Sequence, residues 1–143
     1  MKIAIASDHT GVDYKARLIS YLEYNGFLVT DFGPMTEDSV DYPDYGHKVA
    51  KAVSEGLVDF GILFCGSGNG INMSANKHQA IRSALCWKKE IAELARLHND
   101  ANVLTMPARF ISYEEAQEIT GLFLTTDFEG GRHQNRVNKI DCI

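Results

Sequence analysis

The chain has 143 residues, 45% of them hydrophobic and 23% charged, with a formal net charge of -5. Such a chain fits one compact domain, and its acidic balance excludes a general nucleic-acid binder, which needs a basic face to neutralise phosphates. No apolar run reaches the ~18 to 20 residues that cross a bilayer, and the amino-terminal run is too short for a signal core followed by a cleavage site, so a cytoplasmic protein without membrane partners is expected.

Short apolar runs of strand length alternate with amphipathic segments of helical length. This alternation marks an α/β protein, a five-stranded parallel sheet covered by helices. The predicted strands are 2–7, 27–32, 59–65, 81–86 and 102–106, and the predicted helices are 11–24, 45–55, 70–77, 88–98 and 113–125, with a sixth near 132–140. In such sheets ligands bind beyond the carboxyl ends of the strands, so the loops there are where chemistry is sought.

The first strand ends in Ser7-Asp8-His9-Thr10-Gly11. Asp8 and His9 stand where a ligand would bind, yet position alone fits equally a capping aspartate and a solvated histidine. The third strand runs through Cys65 into Gly66-Ser67-Gly68-Asn69-Gly70 and then a helix. Converging backbone N–H groups there form an anion nest, and the same field lowers the pKa of a thiol. A buried cysteine above a tight turn is the plainer alternative. The loop is neither a dinucleotide fingerprint, since its spacing is G-x-G-x-G after the third strand, nor a P-loop, since no Gly-Lys-Ser/Thr follows.

In the fourth helix Ile91, Leu94, Ala95 and His98 fall at i, i+3, i+4 and i+7 and are expected on one face. His98-Asn99 precedes the fifth strand, at the sheet edge opposite Cys65. A site containing both would draw His98 and Asn99 from a neighbouring subunit; otherwise His98 simply closes its helix. Ser112 and Glu115 have capping-box spacing. Near the carboxyl end Arg132 and Arg136 lie one turn apart, and Arg109 follows the fifth strand. These guanidinium groups suit a phosphate, or a solvated basic face. Cys65, Cys86 and Cys142 are widely spaced with no C-x-x-C pair, which disfavours a disulfide framework and a metal site and fits a reducing compartment.

Taken together, Ser7-Asp8-His9-Thr10-Gly11, Asp41-Tyr42-Pro43, the Cys65 to Gly70 loop, Ala75-Asn76-Lys77, the stretch from His98 to Leu104 and Glu129-Gly130-Gly131-Arg132-His133 resemble the B-type ribose-5-phosphate isomerases, in family order over nearly the whole chain. The wider family includes bacterial galactose-6-phosphate isomerase subunits. The resemblance implies a three-layer α/β/α sandwich, Rossmann-like or flavodoxin-like, a homodimer with shared active sites that can pair into a tetramer, and interconversion of ribose 5-phosphate and ribulose 5-phosphate in the pentose phosphate pathway without metal or cofactor. It gives Cys65 the role of base between C2 and C1, His98 that of opening the furanose ring, and Ser67 that of a proton shuttle between O1 and O2. Asp8, His9, Tyr42 and Asn99 would contact the sugar, Gly66, Ser67, Gly68, Asn69 and Gly70 would form the anion hole, and Arg109, Arg132 and Arg136 would hold the phosphate. Some relatives carry a glutamate base a few residues later; Ser74 and Ala75 offer no carboxylate here.

The chemistry suits these residues apart from the name, since moving a proton beside a carbonyl needs a base and a stabilised enediolate. Competing readings are isomerisation of allose 6-phosphate or galactose 6-phosphate, thiol acyl transfer or hydrolysis by Cys65, His98 and Asn99, and a non-enzymatic receiver-like domain. The last would want an aspartate where Cys65 stands. Ribose 5-phosphate is preferred because galactose-type enzymes divide the site between unlike subunits, whereas this chain holds every part.

Overall fold

The computed structural model describes residues 1–142. Among them five parallel strands, β1 (Lys2–Ser7), β2 (Leu28–Asp31), β3 (Phe60–Cys65), β4 (Ser83–Leu85) and β5 (Val103–Pro107), form one sheet in the order β2-β1-β3-β5-β4. The helices are α1 (Val12–Tyr24), α2 (Tyr42–Ser54), α3 (Asn69–Ala75), α4 (Lys89–Asn99), α5 (Tyr113–Thr125) and α6 (Arg132–Val137). The three-layer α/β/α arrangement expected from the sequence is present.

The layers follow from side-chain parity along buried strands. On β1, Ile3 and Ile5 join a cluster with Leu18 and Leu22 of α1, Ala92 and Ala95 of α4, and Ile119 and Phe123 of α5. Ala4 and Ala6 point to the other face, against Val49 and Ala50 of α2 and Ile71 and Ala75 of α3. Small residues let α2 approach closely: a Cβ on Gly61 of β3 would lie 2.5 Å from Val49. The chain leaves β1 toward β2 and returns past it to β3. Handedness then sends α1 and α2 to opposite faces and opens a crevice between the carboxyl ends of β1 and β3.

Several boundaries differ from expectation. Helix α2 begins at Tyr42 rather than residue 45, because Pro43 sits in its first turn, where a missing N–H and a fixed φ cost nothing. Strand β4 is three residues long, since only Ser83, Ala84 and Leu85 pair with β5.

The face of α4 is also corrected: Leu94 is 47% exposed, while Ala92, Ala95 and Arg96 are buried. Arg96 can occupy the core because its guanidinium lies 4.9 Å from the Phe60 ring centre and donates to the carbonyls of Ala101 (2.6 Å) and Thr126 (3.1 Å) and to Asp100 Oδ1 (2.9 Å). Arg82 holds the other Asp100 oxygen at 3.2 Å. Asp100 thus ends α4 in a left-handed turn (φ 47°), which fixes where His98 and Asn99 stand.

Candidate active site

The crevice between β1 and β3 gathers the residues of the first two loops. Asp8 is buried; its Oδ1 accepts from Thr10 N (2.9 Å) and Thr10 Oγ1 (2.6 Å), while its own N–H donates to Phe64 O across the strand pair (3.0 Å). It therefore caps the turn at His9–Gly11 and also faces the Cys65 sulfur, whose ionisation it opposes. His9 accepts the Val40 N–H at Nδ1 (3.3 Å), which leaves its proton on Nε2.

Cys65 closes β3. The Gly68, Gly70 and Ile71 amides donate toward its sulfur and favour the thiolate. Burial outweighs them and pushes the thiol above its ordinary value of 9.0, which corrects the lowered pKa expected from a helix amino terminus alone. A desolvated sulfur loses more hydration than three amides return.

The glycines are explained in part by the chain itself. Gly68 has φ 79°, and a Cβ there would meet Leu85 at 2.4 Å; a Cβ on Gly70 would meet the Tyr42 ring at 2.5 Å. Tyr42, 41% exposed, thus lies against the loop. Ser67 Oγ accepts from both Asn69 nitrogens at 3.3 Å. From β5, Ala108 N–H donates to Cys65 O (2.9 Å) and Arg109 N–H to Gly66 O (3.1 Å), so Arg109 hangs over the loop. Asp8, His9, Tyr42, Cys65, the 66–70 loop and Arg109 are together at one sheet edge.

The remaining expected residues are not with them. Cys65 pairs with Pro107 at the end of β5, while His98 and Asn99 precede its first residue, Val103. The four residue steps of β5 put the two groups roughly 13 Å apart along the strand, at about 3.3 Å per residue. Arg132 and Arg136 lie exposed on α6, which packs on α4 and stacks His133 on His98. The three arginines do not converge within one chain: Arg109 is on the Cys65 side, Arg132 and Arg136 on the His98 side. A cleft of about 700 Å³ lined by Asn76, Lys77, Arg82, Asn99 and Ile140 lies at the His98 edge. Glu129 and His133 stand at this edge too, and their four-residue spacing is the signal they carry in the sequence.

The three cysteines are free thiols, and among the described residues no helix is long and apolar enough to cross a membrane. A sequence model of the family described as Ribose/Galactose Isomerase matches residues 3–140. The chain is 43% identical over 142 residues to Ribose-5-phosphate isomerase B of Escherichia coli K12, covering 99% of this chain and 95% of that protein. A crystal structure of a ribose 5-phosphate isomerase from Thermotoga maritima superposes with a TM-score of 0.97 at 48% identity, over 99% of this chain and 98% of the other. Ribose-5-phosphate isomerase B from Mycoplasma genitalium with bound ribulose-5-phosphate gives a TM-score of 0.94 at 43% identity, over 97% and 93%. With the family model covering nearly all of it and full-length relatives above 40% identity, the chain belongs to the ribose/galactose isomerase family and is an isomerase.

Proposed function

We propose that this isomerase interconverts D-ribose 5-phosphate and D-ribulose 5-phosphate, as one domain over residues 1–143 with a carboxyl-terminal helical tail, in the cytoplasm. The observation that carries the reading is the Cys65 thiol at the β1/β3 crevice, with the Gly68, Gly70 and Ile71 amides on its sulfur. The E. coli relative's name and the ribulose-5-phosphate held by the M. genitalium relative support this choice of substrate over allose 6-phosphate and galactose 6-phosphate.

The working unit is a homodimer, in which pairing into tetramers is a further step. One subunit offers Asp8, His9, Tyr42, Cys65, the glycine loop and Arg109; the second copy brings His98, Asn99, Arg132 and Arg136. The placement of these two sets at opposite sheet edges supports this division. His98 opens the furanose. The Cys65 thiolate takes the proton from C2, the C–H pair becomes the C1–C2 double bond, and O1 gains the charge, which the loop amides stabilise. Ser67 moves the O2 proton to O1, and the Cys65 thiol returns its proton to C1. The arginines grip the phosphate away from the reacting carbons and fix the open chain in reactive position. The charge of Arg109, and that of Arg132 and Arg136 brought by the second copy, also favours the thiolate that burial disfavours.

A coupled assay of all three sugar phosphates with chelator present tests the reading. Ribose 5-phosphate should be turned over best, chelator should not lower the rate, and Cys65→Ala should lose on the order of 10³-fold in kcat. Full activity in Cys65→Ala would remove the proposed base, and faster turnover of a six-carbon substrate would remove the proposed sugar.

A further inference from the structure

Away from the Cys65 crevice, the end of α4 and the start of α6 bring together His98, Glu129 and His133, whose ligand atoms all lie within 4.8 Å of one another. The His133 side chain is 7% exposed, and its buried Nε2 has no hydrogen-bond partner. A buried ring nitrogen left in that state calls for a ligand. Glu129 faces both rings, with Oε2 3.9 Å from His98 Nε2 and Oε1 4.0 Å from His133 Nε2. These separations are too long for hydrogen bonds. A tetrahedral ion at about 2.0 to 2.2 Å from each donor sets the donors ~3.3 to 3.6 Å apart, so the three ligand atoms need close by only about 1 Å to hold one.

We propose that His98 Nε2, His133 Nε2 and the Glu129 carboxylate form a binding site for a divalent transition metal of the zinc class. Two imidazoles and a carboxylate with a fourth position open is a zinc donor set, whereas calcium and magnesium would ask for oxygen ligands throughout. The turn carrying two of the donors is fastened in place: Glu129 N–H donates to Leu97 O and His133 N–H to Gly130 O, both at 3.1 Å. The rings stack nearly parallel, 13° apart, so binding tilts His98, the half-exposed partner on the last turn of α4, toward the carboxylate. His133 Nε2, buried and without a partner, is the nitrogen free to ligate. Arg132 and Arg136 stand beside the site and weaken its hold on a cation.

The metal is an inhibitor and not a cofactor, because it occupies the nitrogen of His98; this half rests on the ring-opening role proposed above. Titration of the dimeric protein with Co²⁺ should give the visible bands of a tetrahedral nitrogen and oxygen site, displaced by Zn²⁺. Glu129→Gln, whose side chain is exposed, should weaken Co²⁺ binding at least tenfold, and His133→Asn, checked for native circular dichroism, should abolish the bands. Unchanged affinity in Glu129→Gln would overturn the site. So would a sulfur-to-cobalt charge-transfer band that vanishes in Cys65→Ala, which would place the metal on the thiol. Zn²⁺ should silence turnover over the range in which it displaces Co²⁺. A metal-loaded enzyme with full activity would overturn the inhibitory half and the role of His98, while the spectra judge the site separately.

Discussion

The rings of His98 and His133 stack at 4.2 Å between centres, joining the last turn of α4 to α6. Two imidazoles so close cannot both be charged without cost. Burial first, then the charge of His98, pushes His133 below its ordinary 6.5; burial and His47 do the same to His78. A lowered folded-state pKa means that the unfolded chain takes the proton more readily. Stability is therefore unaffected above pH 6.5 and falls as the pH drops below it. The urea midpoint should decline from about pH 6.5 to about pH 5, and less steeply in His78→Gln and His133→Gln. A midpoint equally pH-dependent in all three proteins would contradict the assignment.

For Cys65 the sign runs the other way. Burial raises the thiol above 9.0, so the thiolate is the minor form at neutral pH and log kcat/KM should climb with pH and still be climbing at about pH 9. Alkylation resolved by peptide should rank exposed Cys142 first, then Cys65, with Cys86, pushed up to about 12, nearly inert. Faster labelling of Cys65 than of Cys142 at neutral pH would mean that the amides outweigh burial.

Lys15 is buried at 3% side-chain exposure, with Nζ 2.7 Å from Asp31 Oδ1 and 2.8 Å from Pro34 O. Asp31 in turn accepts the Gly33 N–H at 2.8 Å. This contact anchors the start of the segment that reaches Val40 and so His9. Lys15→Met leaves a carboxylate that is only 22% exposed without its cation and should cost about 3 kcal/mol, read from denaturant unfolding. Asp31→Asn in the same background should recover part of the loss. A variant as stable as the parent would show that the pair contributes nothing.

Local patterns were legible where a single physical cause decides. The six residues of β1 and the whole of α5 were readable because an apolar run and a Ser112–Glu115 capping box each act within a few residues. The opposition of Cys65 and His98 was also readable, since strand direction alone places a residue before or after its strand. Arg96 was not, because its burial depends on Phe60, Ala101 and Thr126 arriving from three other segments. The stacking of His133 on His98 and the raised Cys65 pKa belong to the same class: each is set by packing that periodicity does not encode. Lys15 did carry a signal, at i, i+3 and i+7 with Leu18 and Leu22 on the core face of α1.

Subunit complementation tests the shared site most directly. Cys65→Ala and His98→Asn, each with little activity as a homodimer, are mixed in equal amounts, allowed to exchange subunits and assayed with ribose 5-phosphate. If each site takes Cys65 from one subunit and His98 from the other, every hybrid dimer holds one intact site. Half the dimers are hybrids, so activity should rise to about a quarter of the wild-type value. A mixture that exchanges subunits yet stays as inactive as its parents would contradict the shared site.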